Sequence, residues 1–292
     1  MKEAHYYKNY KTQDDENDIV QCELCPHFCL IHEGKRGICH ARLNEKGVLY
    51  AESFGQITSI ALDPIEKKPL MLFNPGHFIL SVGSYGCNFK CSFCQNHSIS
   101  MAGKDDQRTS FISPDELISK AIDMIPNWNI GVAFTYNEPL ISYEYVSECS
   151  KLAHQKKLKT VLVTNGFINE KPLLELLPFI DAMNIDLKSF SPSFYKKIGG
   201  LIEPVKRTIE ISAKACHVEI TTLIIPGEND SPDEMDALSS WIASIDSNIP
   251  LHISRFFPRY KMTGKPSTPE DTIYLLSEIA RKHLIHVYEG NL

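Results

Sequence analysis

The chain has 292 residues, 43% of them hydrophobic and 23% charged, and its 30 basic and 36 acidic side chains give a formal charge of −6. That length buries a full-size core in one or two domains, and an acidic balance without a basic tail argues against nucleic-acid binding. No apolar run approaches the roughly 18 residues that cross a bilayer, and the polar start carries no signal-peptide pattern, so a cytoplasmic protein without membrane contact is expected.

Residues 1–20 are polar and read as a flexible lead-in. Next comes Cys22-Glu23-Leu24-Cys25-Pro26-His27-Phe28-Cys29, followed by Gly34, Gly37 and Cys39. Nine cysteines in a reducing compartment point to metal ligation and not to disulfides, and seven of the nine precede residue 95. Cys22, Cys25, Cys29 and Cys39 provide four thiolates over a short loop. That set suits a closed zinc site or a second iron–sulfur cluster, structural or electron-relaying in either case. Cys149 and Cys216 lie in helix-like apolar patterns and read as core thiols. Segments 48–53 and 58–62 read as short strands of a hairpin that links a metal-binding arm, 21–75, to the main domain, 76–292.

From residue 79 a regular alternation begins. Apolar strand-like runs fall at 79–82, 130–134, 160–163, 183–187, 218–225 and 251–256. Helical patterns fall near 114–125, 139–156, 170–179, 203–215, 232–245 and 269–283. Ser113-Pro114-Asp115-Glu116 and Ser231-Pro232-Asp233-Glu234 are the same helix start, with a capping serine, proline at the first turn and glutamate placed for a capping box. Thr268-Pro269-Glu270-Asp271 repeats that logic. Leu117, Ile118, Ala121, Ile122 and Ile125 form one apolar stripe. Six βα units with continuous apolar strands predict an α/β protein, a parallel sheet covered by helices. Eight units would close a barrel; six predict a partial (β/α)6 barrel of TIM type, with a last edge strand near 286–288.

Chemistry in such folds sits at the carboxyl ends of the strands, and the first of these strands runs into Gly86-Cys87-Asn88-Phe89-Lys90-Cys91-Ser92-Phe93-Cys94. Cys87, Cys91 and Cys94 are three ligands where a closed [4Fe–4S] site takes four, which leaves one iron open to an outside ligand. Later strands end in Thr135-Tyr136-Asn137-Glu138-Pro139, Thr164-Asn165-Gly166 and Asp186-Leu187-Lys188, while His252 and Arg255 are expected to project inward from the sixth. Together these describe the rim of one cavity.

The spacing C-x3-C-x-aromatic-C resembles the signature of radical S-adenosylmethionine (SAM) enzymes. The resemblance implies a [4Fe–4S] cluster on Cys87, Cys91 and Cys94, with SAM as its outside ligand. It also implies that Asn137, Glu138 and Pro139 stand in for a Gly-Gly-Glu-Pro motif that receives the SAM amino group. Asn165, Asp186 and Lys188 would contact SAM ribose or carboxylate, with a simple ion pair at the rim as the alternative for the last two. Phe93 would shield the cluster or pack on adenine, and His252 and Arg255 would complete the cofactor site. Asp63-Pro64-Ile65-Glu66-Lys67-Lys68-Pro69-Leu70, Cys94-Gln95-Asn96, Ile225-Pro226-Gly227-Glu228-Asn229-Asp230 and Leu251-His252-Ile253-Ser254-Arg255-Phe256 resemble the AmmeMemoRadiSam-system radical SAM enzymes, relatives of the pyruvate formate-lyase activating enzymes.

The activity this implies is reductive cleavage of SAM to a 5′-deoxyadenosyl radical that takes hydrogen from a partner, with a protein glycine as one candidate. A low-potential electron donor is required, and a MEMO-like or AMMECR-like protein is the implied partner. Two alternatives stand beside it: radical modification of a small molecule, and a non-catalytic iron–sulfur or zinc protein for electron transfer or binding. The last requires a fourth ligand near the loop, for which His97 is the nearest candidate.

Overall fold

The computed structural model describes residues 1–10 and 19–292. Its centre is an eight-stranded sheet. The strands Phe78–Gly83, Asn129–Phe134, Lys159–Thr164, Ala182–Asp186, His217–Ile224, Leu251–Arg255 and Val287–Gly290 run parallel in that spatial order. Six of the seven are the strands expected from the apolar runs; the seventh is the edge strand expected near 286–288. Continuous runs mark them because helices cover the outer face while the inner face packs on the opposite wall. Helices Pro114–Asp123, Tyr143–Gln155, Glu170–Leu176, Ile202–Ser212, Pro232–Ile245 and Glu270–Ala280 alternate with them. Among the described residues the two edge strands do not pair with each other, so the barrel stays open.

The second edge departs from expectation. Ser59–Pro64 does not form a hairpin with Val48–Ala51; it pairs antiparallel with Phe78–Gly83 and belongs to the main sheet. The expected boundary at residue 75 therefore cuts through barrel structure. Val48–Ala51 instead lies between Arg42–Glu45 and Lys2–Glu3 in a small separate sheet. The lead-in is likewise not loose over its first part. Tyr7–Tyr10 pairs with Ile19–Cys22, and the Ala4 amide donates to Leu49 O at 2.8 Å. The remainder of that expectation, residues 11–18, lies outside the described residues.

Of the three expected helix starts, one closes as a full capping box. Ser113 Oγ accepts from the Glu116 amide at 3.3 Å, and Glu116 Oε2 accepts from the Ser113 amide at 2.7 Å. Ser231 caps the Glu234 amide, but the Glu234 carboxylate is drawn away to Ser189 Oγ and the Phe190 amide. Thr268 does not cap at all. Its hydroxyl donates to Ile224 O at 2.6 Å and accepts from the Phe256 amide, tying the helix entry to two strands. In the first helix Leu117, Ile118 and Ala121 are buried, whereas Ile122 and Ile125 face solvent because the stripe is narrower than expected. A short helix at Pro192–Lys197, set between the fourth strand and its main helix, was not foreseen.

Candidate active site

The carboxyl ends of the strands enclose a cavity of about 390 Å³. Cys87, Cys91 and Cys94 all line it, with Phe93 between the last two. Glycine is needed ahead of the first cysteine, since Gly86 has φ +84° and its missing Cβ would lie 2.3 Å from Cys39 O. The loop is held by side chains on two later strand ends. Asn165 Nδ2 donates to Asn88 Oδ1 at 2.8 Å and lies 3.7 Å from Cys87 Sγ, and Asn88 Nδ2 donates to Phe167 O. The Phe89 amide points at Cys87 Sγ from 3.3 Å. Burial pushes the Cys87 thiol well up and Cys91 to about 12, with the Lys188 charge pulling Cys91 back. These sulfurs hold protons until a metal displaces them.

The opposite wall is built on Glu138. Its buried carboxylate accepts from Thr164 Oγ1 at 2.6 Å and from the amides of Asn165 at 2.7 Å and Leu140 at 3.0 Å. Burial raises its pKa to about 7 even against those three bonds. Glu138 therefore welds two strand ends together while still lining the cavity. Asn137 also lines the cavity but spends its side chain on the cysteine loop, accepting from the Ser84 amide and donating to Tyr85 O and Gly86 O. Pro139 starts a buried turn and does not line the cavity.

Asp186 and Lys188 both line the cavity and pair at 2.8 Å. Desolvation opposes the Lys188 charge, but the Asp186 carboxylate beside it outweighs that and keeps the ammonium protonated. The ion pair expected as the alternative is therefore present, and it stands in the lining of the cavity.

Two expected cofactor contacts are corrected. Residues three apart on a strand face opposite sides, so His252 and Arg255 cannot both point inward. His252 faces the interior one layer below the cavity, with Nε2 2.6 Å from Glu219 Oε2. Arg255 faces outward, donating to Thr268 O and pairing with Glu270 at 2.8 Å. His97, the nearest candidate for a fourth ligand, is not among the residues that line the cavity; its Nδ1 lies 3.2 Å from Cys94 O, and its ring stacks on Tyr260 at 4.4 Å.

The alternation that places Ser254 in the cavity, on the same face as His252, also places Thr221 and Leu223 there. Lys67 and Pro69 enter from below, on a strap that crosses the barrel interior. That strap is pinned by Glu219, which accepts from the Met71 and Leu72 amides, and by Asn184 Nδ2 on Pro69 O. Period-two alternation could have found Thr221 and Leu223; nothing local marks the strap.

The donor set fits a three-thiolate cluster. Its three thiols share one cavity, and among the described residues that line it there is no fourth cysteine and no histidine, which leaves one corner of a cubane to an outside ligand. The polar rim beside the thiols suits a charged, amino-acid-like ligand.

Comparison with known proteins agrees. Residues 81–238, more than half of the chain, match the family model described as the radical SAM superfamily. An uncharacterized protein of Methanocaldococcus jannaschii is 39% identical over 100% of this chain and 86% of its own length. The pyruvate formate-lyase-activating enzyme of Clostridium pasteurianum is 27% identical over 55% of this chain and 67% of its own. A second protein of M. jannaschii, provisionally named a glycyl-radical enzyme activating enzyme, is 28% identical over 70% of this chain and 77% of its own. In fold, the chain superposes on a radical SAM methyltransferase from Sphaerobacter thermophilus with a TM-score of 0.56 at 15% identity, covering 97% of this chain and 75% of that one. The three-cysteine loop, its place at the strand ends and the family match lead to one conclusion: this chain belongs to the radical SAM superfamily, with a [4Fe–4S] cluster and SAM as its cofactors.

Proposed function

We propose that this enzyme cleaves SAM reductively and delivers the radical to a partner protein, abstracting hydrogen from a glycine as glycyl-radical activating enzymes do. The observation that carries the reading is the meeting of three thiols, the Glu138–Asn165 clamp and the Asp186–Lys188 pair on one cavity whose lining, among the described residues, includes no fourth cysteine and no histidine. When bound, the cluster supplies the electron that splits the sulfonium of SAM into methionine and a 5′-deoxyadenosyl radical.

The chain's own residues hold and shield. Cys87, Cys91 and Cys94 ligate the cluster, and Asn165 and Asn88 keep that loop in place. Glu138 and the main chain of 136–138 receive the ammonium of SAM, and Asp186 and Lys188 bracket its polar end. Phe93, buried and packed 5.9 Å from Phe194, excludes water beside the last cysteine. A protein substrate is supported by the names of the activating-enzyme relatives and by the open seam between the edge strands. Membership of the AmmeMemoRadiSam system, with a MEMO-like or AMMECR-like partner, rests on the stretches quoted above. A cytoplasmic setting is supported by nine unpaired cysteines; no helix among the described residues is long and apolar enough to cross a membrane.

The test is anaerobic reconstitution, reduction and measurement of 5′-deoxyadenosine, with a glycine-deuterated candidate partner present. Deuterium in the deoxyadenosine supports the proposal. Deoxyadenosine without deuterium, followed by label from a small-molecule pool, overturns the protein-substrate part. No deoxyadenosine from cluster-loaded protein overturns the whole.

A further inference from the structure

The N-terminal arm carries a second set of thiols that the proposed reaction does not use. Cys22, Cys25, Cys29 and Cys39 line one enclosed pocket whose remaining wall is largely apolar, with Leu24 and Ile31. They come from different turns of the arm, yet the Cys22 amide donates to Cys29 O at 2.9 Å and fixes two of them side by side.

Arg42, 1% exposed, lines the same pocket and supplies a buried positive charge beside Cys22 and Cys39.

Position separates the two metals that four thiolates suit. Zinc has no redox chemistry, whereas an iron–sulfur cluster beside the open site can exchange electrons with it. Asn88 of the cluster loop lines the arm's pocket as well.

We propose that Cys22, Cys25, Cys29 and Cys39 hold a second iron–sulfur cluster, closed by four thiolates and therefore unable to bind SAM. It shares a wall with the first site. Cys39 O occupies the space a Gly86 Cβ would need, and the His27 Nε2 lies 2.7 Å from Asn88 O. A closed cluster so placed serves to pass electrons to the open one. This assignment is independent of the substrate of the radical reaction.

The test is anaerobic reconstitution of the full chain with iron and sulfide, followed by iron, sulfide and zinc analysis and EPR of the reduced protein. Wild type is expected to hold about eight irons, and the Cys25→Ser/Cys39→Ser variant about four, with a signal that shifts on adding SAM. The Cys87→Ala/Cys91→Ala/Cys94→Ala variant is expected to keep about four irons and a signal indifferent to SAM. That last variant leaves the arm untouched, so the test survives if the arm variant does not fold. Wild type with about four irons, with or without one zinc, overturns the proposal, as does an iron-free triple variant.

Discussion

His252 turns into the barrel but ends on Glu219, the two side chains meeting at 2.6 Å. Glu219 also takes His217 Nε2 at 2.9 Å and the amides of Met71 and Leu72 at 2.9 and 2.8 Å. It therefore fastens the strap that carries Lys67 and Pro69 into the cavity. Burial works to raise its pKa, yet the four hydrogen bonds prevail and hold it down at about 2. A carboxylate depressed in the folded state stabilises above its unfolded pKa, and that contribution is lost as pH falls from about 4.5 to about 2. Glu219→Gln should lower stability at pH 7 by about 3 kcal/mol, on the scale of 1.4 kcal/mol per pK unit. In urea melts the difference from wild type should shrink across that acid window, and proteolysis should reach the strap first.

Lys188 and Arg255 make a contrasting pair. Lys188→Met removes a charge-assisted donor from the rim, worth about 1.5–3 kcal/mol. Its SAM Kd by calorimetry should rise roughly tenfold to a hundredfold, with iron content unchanged. Arg255→Met, whose side chain bonds Thr268 and Glu270 on the outer face, should leave the SAM Kd as it was. Equal effects would remove Lys188 from the site.

Gly86→Ala should be among the most damaging small changes in the chain. The new methyl would meet Cys39 O at 2.3 Å on a backbone with φ +84°. Gly34 has φ +68° with open space around it, so Gly34→Ala isolates the conformational strain, roughly 1–2 kcal/mol. The Gly86 variant should lose distinctly more in thermal melts and also lose protection of the arm in hydrogen exchange.

Arg42 and Glu144 are both fully buried and paired at 2.7 and 2.8 Å. Arg42→Met alone should cost about 3–5 kcal/mol, because it strands a carboxylate in the core. Arg42→Met/Glu144→Leu should recover most of that loss in a double-mutant cycle, although iron retention in the arm should fall if the guanidinium balances its thiolates.

Much of the barrel was legible because each strand is a continuous apolar run and each helix an amphipathic stretch with a marked start. The three cysteines and the strand-end motifs were legible because spacing and order alone carry them. What stayed hidden depends on partners far along the chain. Ser59–Pro64 reads as a hairpin arm until Phe78–Gly83 claims it. Thr268 looks like a cap until the two strands above it are in place. Tyr136 gives no local sign of its φ of +72°, a conformation suited to the glycine found at that point of the family motif. It is held there by bonds to Asp63 and Asn96, which come from the antiparallel edge strand and a loop that the motif does not include.

The contacts that seat the arm reach across most of the chain. The His5 amide meets Glu144, and Asn169 bonds both Glu23 O and Leu24 O through its side chain and its amide. Cysteines made first in synthesis thus lack their walls until the ribosome has passed residue 169. Maturation of this protein should run against the order of its sequence, the first βα units of the barrel forming before the thiols that precede them can be sealed from oxidants and stray metals.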